Sequence, residues 1–163
     1  MHIVYHATQW VKGEVMQGRI MFGLGILSLI AFFYFANLHQ AFYKGMIVPV
    51  LLLQIILLGY GGFQLFKRPS YIEKVIIENH LNPSKAHINE LEKAKKDDKI
   101  YGILKPIWAL LFLVSMLLFV IFKGDFAIGM SFGFALWFVT AFICDWFLHH
   151  RLKTFLVALQ QLN

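Results

Sequence analysis

A chain of 163 residues with 59% hydrophobic and only 15% charged side chains, 17 Phe and a mean hydropathy of +0.65 holds more apolar surface than a water-soluble domain of that length can hide. Soluble domains carry about 25% charged residues, and one of roughly 160 residues buries about two-thirds of its surface, so the excess of Phe, Leu and Ile would leave wide apolar patches in water. The net charge of +6 and pI near 9.5 would point to nucleic acid in a soluble protein. Here the cations flank apolar segments and mix with Asp and Glu, so they read as topogenic, with an added attraction to anionic lipid headgroups, and no nucleic-acid partner is implied.

In chain order, nineteen mostly polar residues precede the first apolar stretch, 20–36. A cleavable signal peptide has an apolar core of about 7–15 residues ending in small residues, whereas this run continues into Phe and Tyr, as an uncleaved first span would. Further apolar stretches occupy 46–66, 107–122 and 127–144, and the four together hold 72 of the 163 residues. A helix needs roughly 20 residues to cross about 30 Å of hydrocarbon. With flanking residues added, the spans cover about 18–38, 45–66, 103–122 and 126–147. Strands would leave backbone groups unpaired in lipid, and the segments are too long and too uniformly apolar for a barrel. The expected fold is therefore all-α: a single polytopic domain over residues 1–163, with four transmembrane helices paired as two antiparallel hairpins by the short turns 37–44 and 123–125.

Residues 67–102 form the linker between the hairpins. Pro69, Asn82, Pro83 and Ser84 divide it into two helices. The first, SYIEKVIIENH, places Ile72, Val75 and Ile76 on one face, suited to lying on a membrane or against a neighbour. The second is expected to start at Ser84 as N-cap, and its only large apolar residues, Ile88 and Leu91, make it a solvated lead-in to the third span. Residues 150–162 predict a C-terminal amphipathic helix, with Leu152, Phe155, Leu156 and Leu159 as a stripe able to cover the bundle's inner end. Trp10, Tyr71, Tyr101, Trp108 and Trp146 are expected at one water boundary, and Tyr34, Tyr43, Phe122 and Phe126 at the other.

Four crossings put 1–19, 67–105 and 151–163 on one face, with 13 of the 15 Lys and Arg; Lys44 and Lys123 alone lie opposite. Because cytoplasmic loops accumulate Lys and Arg, both termini and the linker are expected in the cytoplasm.

Polar groups near the spans are the candidates for function, since an ionisable residue in lipid defaults to that reading. Glu14 and Arg19 sit at the entry to the first span, and Asp145 and His149 at the exit of the fourth. Asp145 and His149 share a helical face at i and i+4, while Glu14 and Arg19 lie about 140° apart around a helix. An Arg19 contact with Asp145 would neutralise both charges and close the bundle. The cluster reads as an interhelical ion pair, as a site for a cation, proton or lipid phosphate, or as a general acid–base set that would also need a pocket. Gln17, Ser28, Gln54 and Ser115 form a possible polar line or pore. No catalytic residue can be named, and neither a metal nor another cofactor is implied: Asp145 with His149 supplies two ligands at most, and inward-facing haem ligands are absent. Cys144, the one cysteine, permits no intramolecular disulfide and reads as a small buried side chain.

Gly129 and Gly133 form a GxxxG step, and Gly18 and Gly25 line the first span. Small residues let backbones approach, and that packing stands in for the hydrophobic drive that lipid removes, within one chain or between copies. Pro106 falls in the first turn of the third span and Pro49 near the start of the second, so neither implies a broken helix. Trp137, near the middle of the fourth span, needs an acceptor for its indole N–H, with Ser28, Gln54 and Ser115 as candidates. Aligning Lys44 and Gly45 with Lys123 and Gly124 leaves a few further Leu, Phe and Lys identities, which is weak support for a duplicated transport unit.

The segments GRIMFGLGILSLI, KGMIVPVLLL and GYGGFQLFKRP give the chain a resemblance to a family of small, uncharacterised four-helix bacterial membrane proteins. The resemblance implies the same architecture and an inner-membrane location, and no site residues. The resulting expectation is a non-enzymatic inner-membrane accessory or partner-binding protein, whose partners are the bilayer and a second copy or another membrane or cytoplasmic protein. The alternatives are an oligomeric ion channel or small transporter, and a membrane enzyme acting on lipid headgroups at the cytoplasmic surface.

Overall fold

The computed structural model describes residues 2–162, which are almost wholly helical, with no strand among them. Four stretches of helix are long and apolar enough to cross a membrane. The elements are α1 (His2–Ala36), α2 (Ala41–Gln54), a π-helical segment (Ile55–Tyr60), α3 (Gly61–Phe66), α4 (Pro69–Leu81), α5 (Pro83–Ile121) and α6 (Asp125–Gln160). At 1.5 Å per residue, the 35, 39 and 36 residues of α1, α5 and α6 make rods of about 52–58 Å, well beyond the roughly 30 Å of a hydrocarbon layer. Each rod therefore has an apolar half and a charged half.

Residues 83–121 are a single helix, as are 125–160, so the second linker helix and the C-terminal amphipathic segment are direct extensions of the apolar helices. The expected start at Ser84 is displaced to Asn82, whose side chain accepts the Lys85 N–H at 3.0 Å. Pro83 takes the first helical position, where its missing N–H costs nothing. Pro49 and Pro106 lie inside unbroken helical runs. What the prolines did not foretell is the π-helical turn just after Gln54.

In the apolar half, α2 packs against both α1 and α6, and α5 lies along α6. Gly18 abuts Gly61 and Gln64 while Gly25 abuts Leu57 and Leu58, so α1 runs opposite to the α2–α3 strip. Gly45 meets the backbone of Phe126 and Met130, Gly129 that of Phe42, and Gly133 the ring of Pro49, so α2 and α6 run parallel with backbones nearly touching. The outward surface is apolar: Leu110, Leu113 and Val120 of α5 are 61%, 63% and 76% exposed.

The charged half has its own core. Ile3, Ala7, Trp10 and Val11 of α1, Val75 of α4, Ala94 of α5, and Leu152, Phe155 and Leu159 of α6 are all buried together. α4 thus packs against neighbouring helices through Val75, with Ile72 and Tyr71 alongside. α5 joins through Ala86, Glu90 and Ala94, spaced four apart, the two alanines being small enough to bring its backbone close, while Ile88 stays 54% exposed. Trp10, expected at a water boundary, is instead 6% exposed and stacked on Phe155, ring centroids 4.9 Å apart, a contact contributing about 0.5–1.5 kcal/mol beyond its burial.

Candidate functional site

Of the four ionisable residues anticipated as one cluster, Glu14, Asp145 and His149 go to separate partners and Arg19 joins none of them. Glu14, with a side chain 2% exposed, binds Arg68 of the α3–α4 junction through both carboxylate oxygens, Nε to Oε2 and Nη2 to Oε1. The Arg68 guanidinium also lies 4.7 Å from the Trp10 ring centroid and 5.5 Å from that of Tyr71, so ion pair and cation–π contacts fix it together. Burial opposes the charge on Arg68, but the Glu14 carboxylate more than offsets it and holds the guanidinium above its ordinary value. Arg19 is exposed, and the contact with Asp145 does not form: Asp145 accepts the Trp108 indole N–H at 2.7 Å, and His149 Nε2 pairs with Asp98 at 2.6 Å. Arg68 was the residue that sequence reasoning missed. Tyr60, Gln64 and Arg68, spaced four apart, were the available sign that one face turns inward.

The residues of the polar line are likewise closed within the chain. Gln54 donates to Ser28 Oγ at 2.7 Å, and Ser28 in turn donates to the Gly25 carbonyl. Ser115 bonds the Leu111 carbonyl on its own helix. Gln17 donates to the Cys144 carbonyl and accepts from Arg151, which also holds the Gly13 carbonyl. None of these reaches Trp137, whose indole N–H is buried without a partner, as are the Gln54 side-chain oxygen and both amide atoms of Gln64. Gly18, Gly25, Gly129 and Gly133 all face other helices of the same chain.

Between the charged and apolar halves lies a cleft of about 430 Å³. Tyr60 comes from the π-helical turn, Asp97, Tyr101 and Trp108 from α5, Asp145 from α6, and Arg68 from the α3–α4 junction. Ile56, Leu104 and Ala141 complete the walls. A π-turn displaces the following side chains relative to a regular helix and often marks a functional place; here it supplies one wall. Glu14 and His149 lie outside this lining, so the cleft does not connect the proposed acid and base. Among the described residues no three His, Cys, Asp or Glu come together as a metal site.

No family model matches the chain, and neither a curated protein nor a solved structure does.

Proposed function

We propose that this is a bacterial inner-membrane protein with two antiparallel transmembrane hairpins, both termini cytoplasmic, acting as a non-enzymatic accessory protein that presents a folded cytoplasmic platform to a partner. The observation that carries this reading is the core of the charged half, in which the cytoplasmic ends of α1, α5 and α6 join α4 around Trp10, Leu152 and Phe155. A linker needed only to connect two hairpins would gain nothing from such a core, whereas a binding surface gains rigidity. Ile77 and Leu81 of α4, 58% and 81% exposed, provide apolar contact points on that half. The apolar outward face of α5 supports lipid as the solvent for the other half.

The closed polar pairs favour this role over the alternatives. A conducting path needs a continuous line of polar groups free to meet ions, but Gln54 donates to Ser28 and Ser115 binds its own helix, which leaves the Gln54 side-chain oxygen as an isolated free acceptor. An acid–base enzyme needs Glu14 and His149 to face a common substrate, but they are bound to Arg68 and Asp98.

Photo-crosslinking from Ile77 and Leu81 in cells tests the proposal, with Ile30 in the apolar half of α1 as control. The expected result is one discrete protein adduct, a second copy or another chain, from the platform positions, and no ion flux from proteoliposomes. Flux abolished by Asp145→Asn, with no adduct from either position, would replace the accessory role with the channel.

A further inference from the structure

We propose that the 430 Å³ cleft between the π-helical turn, α5 and α6 binds the ammonium group of an amphiphile, with its apolar part lying against Ile56, Leu104 and Ala141. The volume falls within the range of small-molecule sites, about 300–1,000 Å³, and the lining divides by chemistry.

Asp97 and Asp145 bring carboxylates to the cleft, and neither has a salt-bridge partner among the described residues. Asp145 accepts one hydrogen bond from Trp108, leaving further acceptor capacity. Arg68, the one cation in the lining, is already neutralised by its two bonds to Glu14. Within the lining two carboxylates thus stand beside one paired cation, with Lys105 and His149 also near Asp145. Tyr60, Tyr101 and Trp108 add aromatic side chains to the lining, each with one face stacked on Phe63, His149 or Phe138, and a free aromatic face attracts ammonium groups.

Along the apolar half α5 packs on α6 and not closely on α2 or the π-helical turn, and the cleft lies between α5 and that turn, beside Tyr60, at the level where apolar sequence gives way to charged sequence. A ligand with an amine at that depth and a chain below it would fit both parts. This role for the cleft rests on the chain being embedded in a bilayer, which side-specific cysteine labelling tests independently of any ligand.

The test uses the full chain in dodecyl maltoside, titrated with dioctanoyl phosphatidylethanolamine or dioctanoyl phosphatidylglycerol and read by native mass spectrometry. The two share acyl chains and differ in the amine. The expected result is a one-to-one complex with the ethanolamine lipid at least tenfold tighter than with the glycerol lipid, and an Asp97→Asn, Asp145→Asn double variant that loses this difference. Asparagine still accepts the Trp108 N–H, so the fold is retained; should the double variant not fold, Asp97→Asn alone reads the same loss at a half-buried position. Displacement of the lipid by free ethanolamine assigns the ammonium site to a soluble amine, and resistance to it assigns the site to a lipid headgroup. Equal binding of the two lipids, or an undiminished preference in the variants, overturns the proposal.

Discussion

Alanine at Gly129 should push α2 and α6 apart. A Cβ there would fall far inside 3.0 Å of the Phe42 carbonyl, and one at Gly45 equally close to the Phe126 carbonyl. Both obstacles are backbone, which cannot swing away as a side chain does. Overpacking typically costs about 1–3 kcal/mol, and an unyielding neighbour places this case near about 3 kcal/mol. Alanine recovers about 1 kcal/mol over glycine within a helix, leaving a net loss of about 2 kcal/mol, or on the order of 5 °C in melting temperature. Gly102, exposed in α5 with nothing within 4 Å of an added Cβ, is the control: there the propensity gain stands alone and Gly102→Ala should stabilise slightly. The Gly45→Ala, Gly129→Ala double variant should lose less than the sum of the singles, since the first methyl already opens the crossing that the second would meet. Thermal unfolding in detergent micelles reads the parent and the four variants. Should Gly129→Ala melt with Gly102→Ala, the backbone contact between α2 and α6 is not as described.

Arg68→Met leaves the Glu14 carboxylate buried without its partner and should cost about 3 kcal/mol, part of which returns when Glu14→Gln is added; a double variant no better than the single would count against the pair. Asn82→Ala removes the cap of α5 and should lower stability by about 1 kcal/mol, seen as faster amide exchange at the start of that helix. Glu90 accepts a hydrogen bond from Tyr71, and burial holds its carboxyl above the ordinary 4.5 against the pull of Lys93 and Arg68. A folded-state carboxyl that keeps its proton to higher pH than the unfolded chain makes stability fall as pH rises from 4.5 through the raised value. Melting curves across that window should show the fall in the parent and a flatter profile in Glu90→Gln; identical profiles would contradict it.

The helices and the apolar length of each were legible because hydrophobic runs of this size leave a chain few options. Partners were not legible. Thirteen cations share one side of the molecule, and helical angles say which residues share a face but not which cation from another element arrives there. Helical angles therefore leave Glu14 without a named partner, while in the structure Arg68 reaches it from the α3–α4 junction. The core of the charged half was missed for a second reason. Counting large apolar residues over 85–99 finds Ile88 and Leu91, but close packing of α5 rests on Ala86 and Ala94, whose small size is the point. The π-helical turn left no sign that propensity could read, and with it went the wall that makes the cleft.

Side-specific labelling of single cysteines tests the central claim most directly. In a Cys144→Ala background, Lys85→Cys and Lys123→Cys are exposed to a membrane-impermeant maleimide in intact cells and again after permeabilisation. The account predicts that Lys123→Cys reacts in intact cells and Lys85→Cys only once the membrane is opened. Reaction of Lys85→Cys in intact cells, or of both positions alike, would contradict a bilayer-spanning chain with its charged half in the cytoplasm.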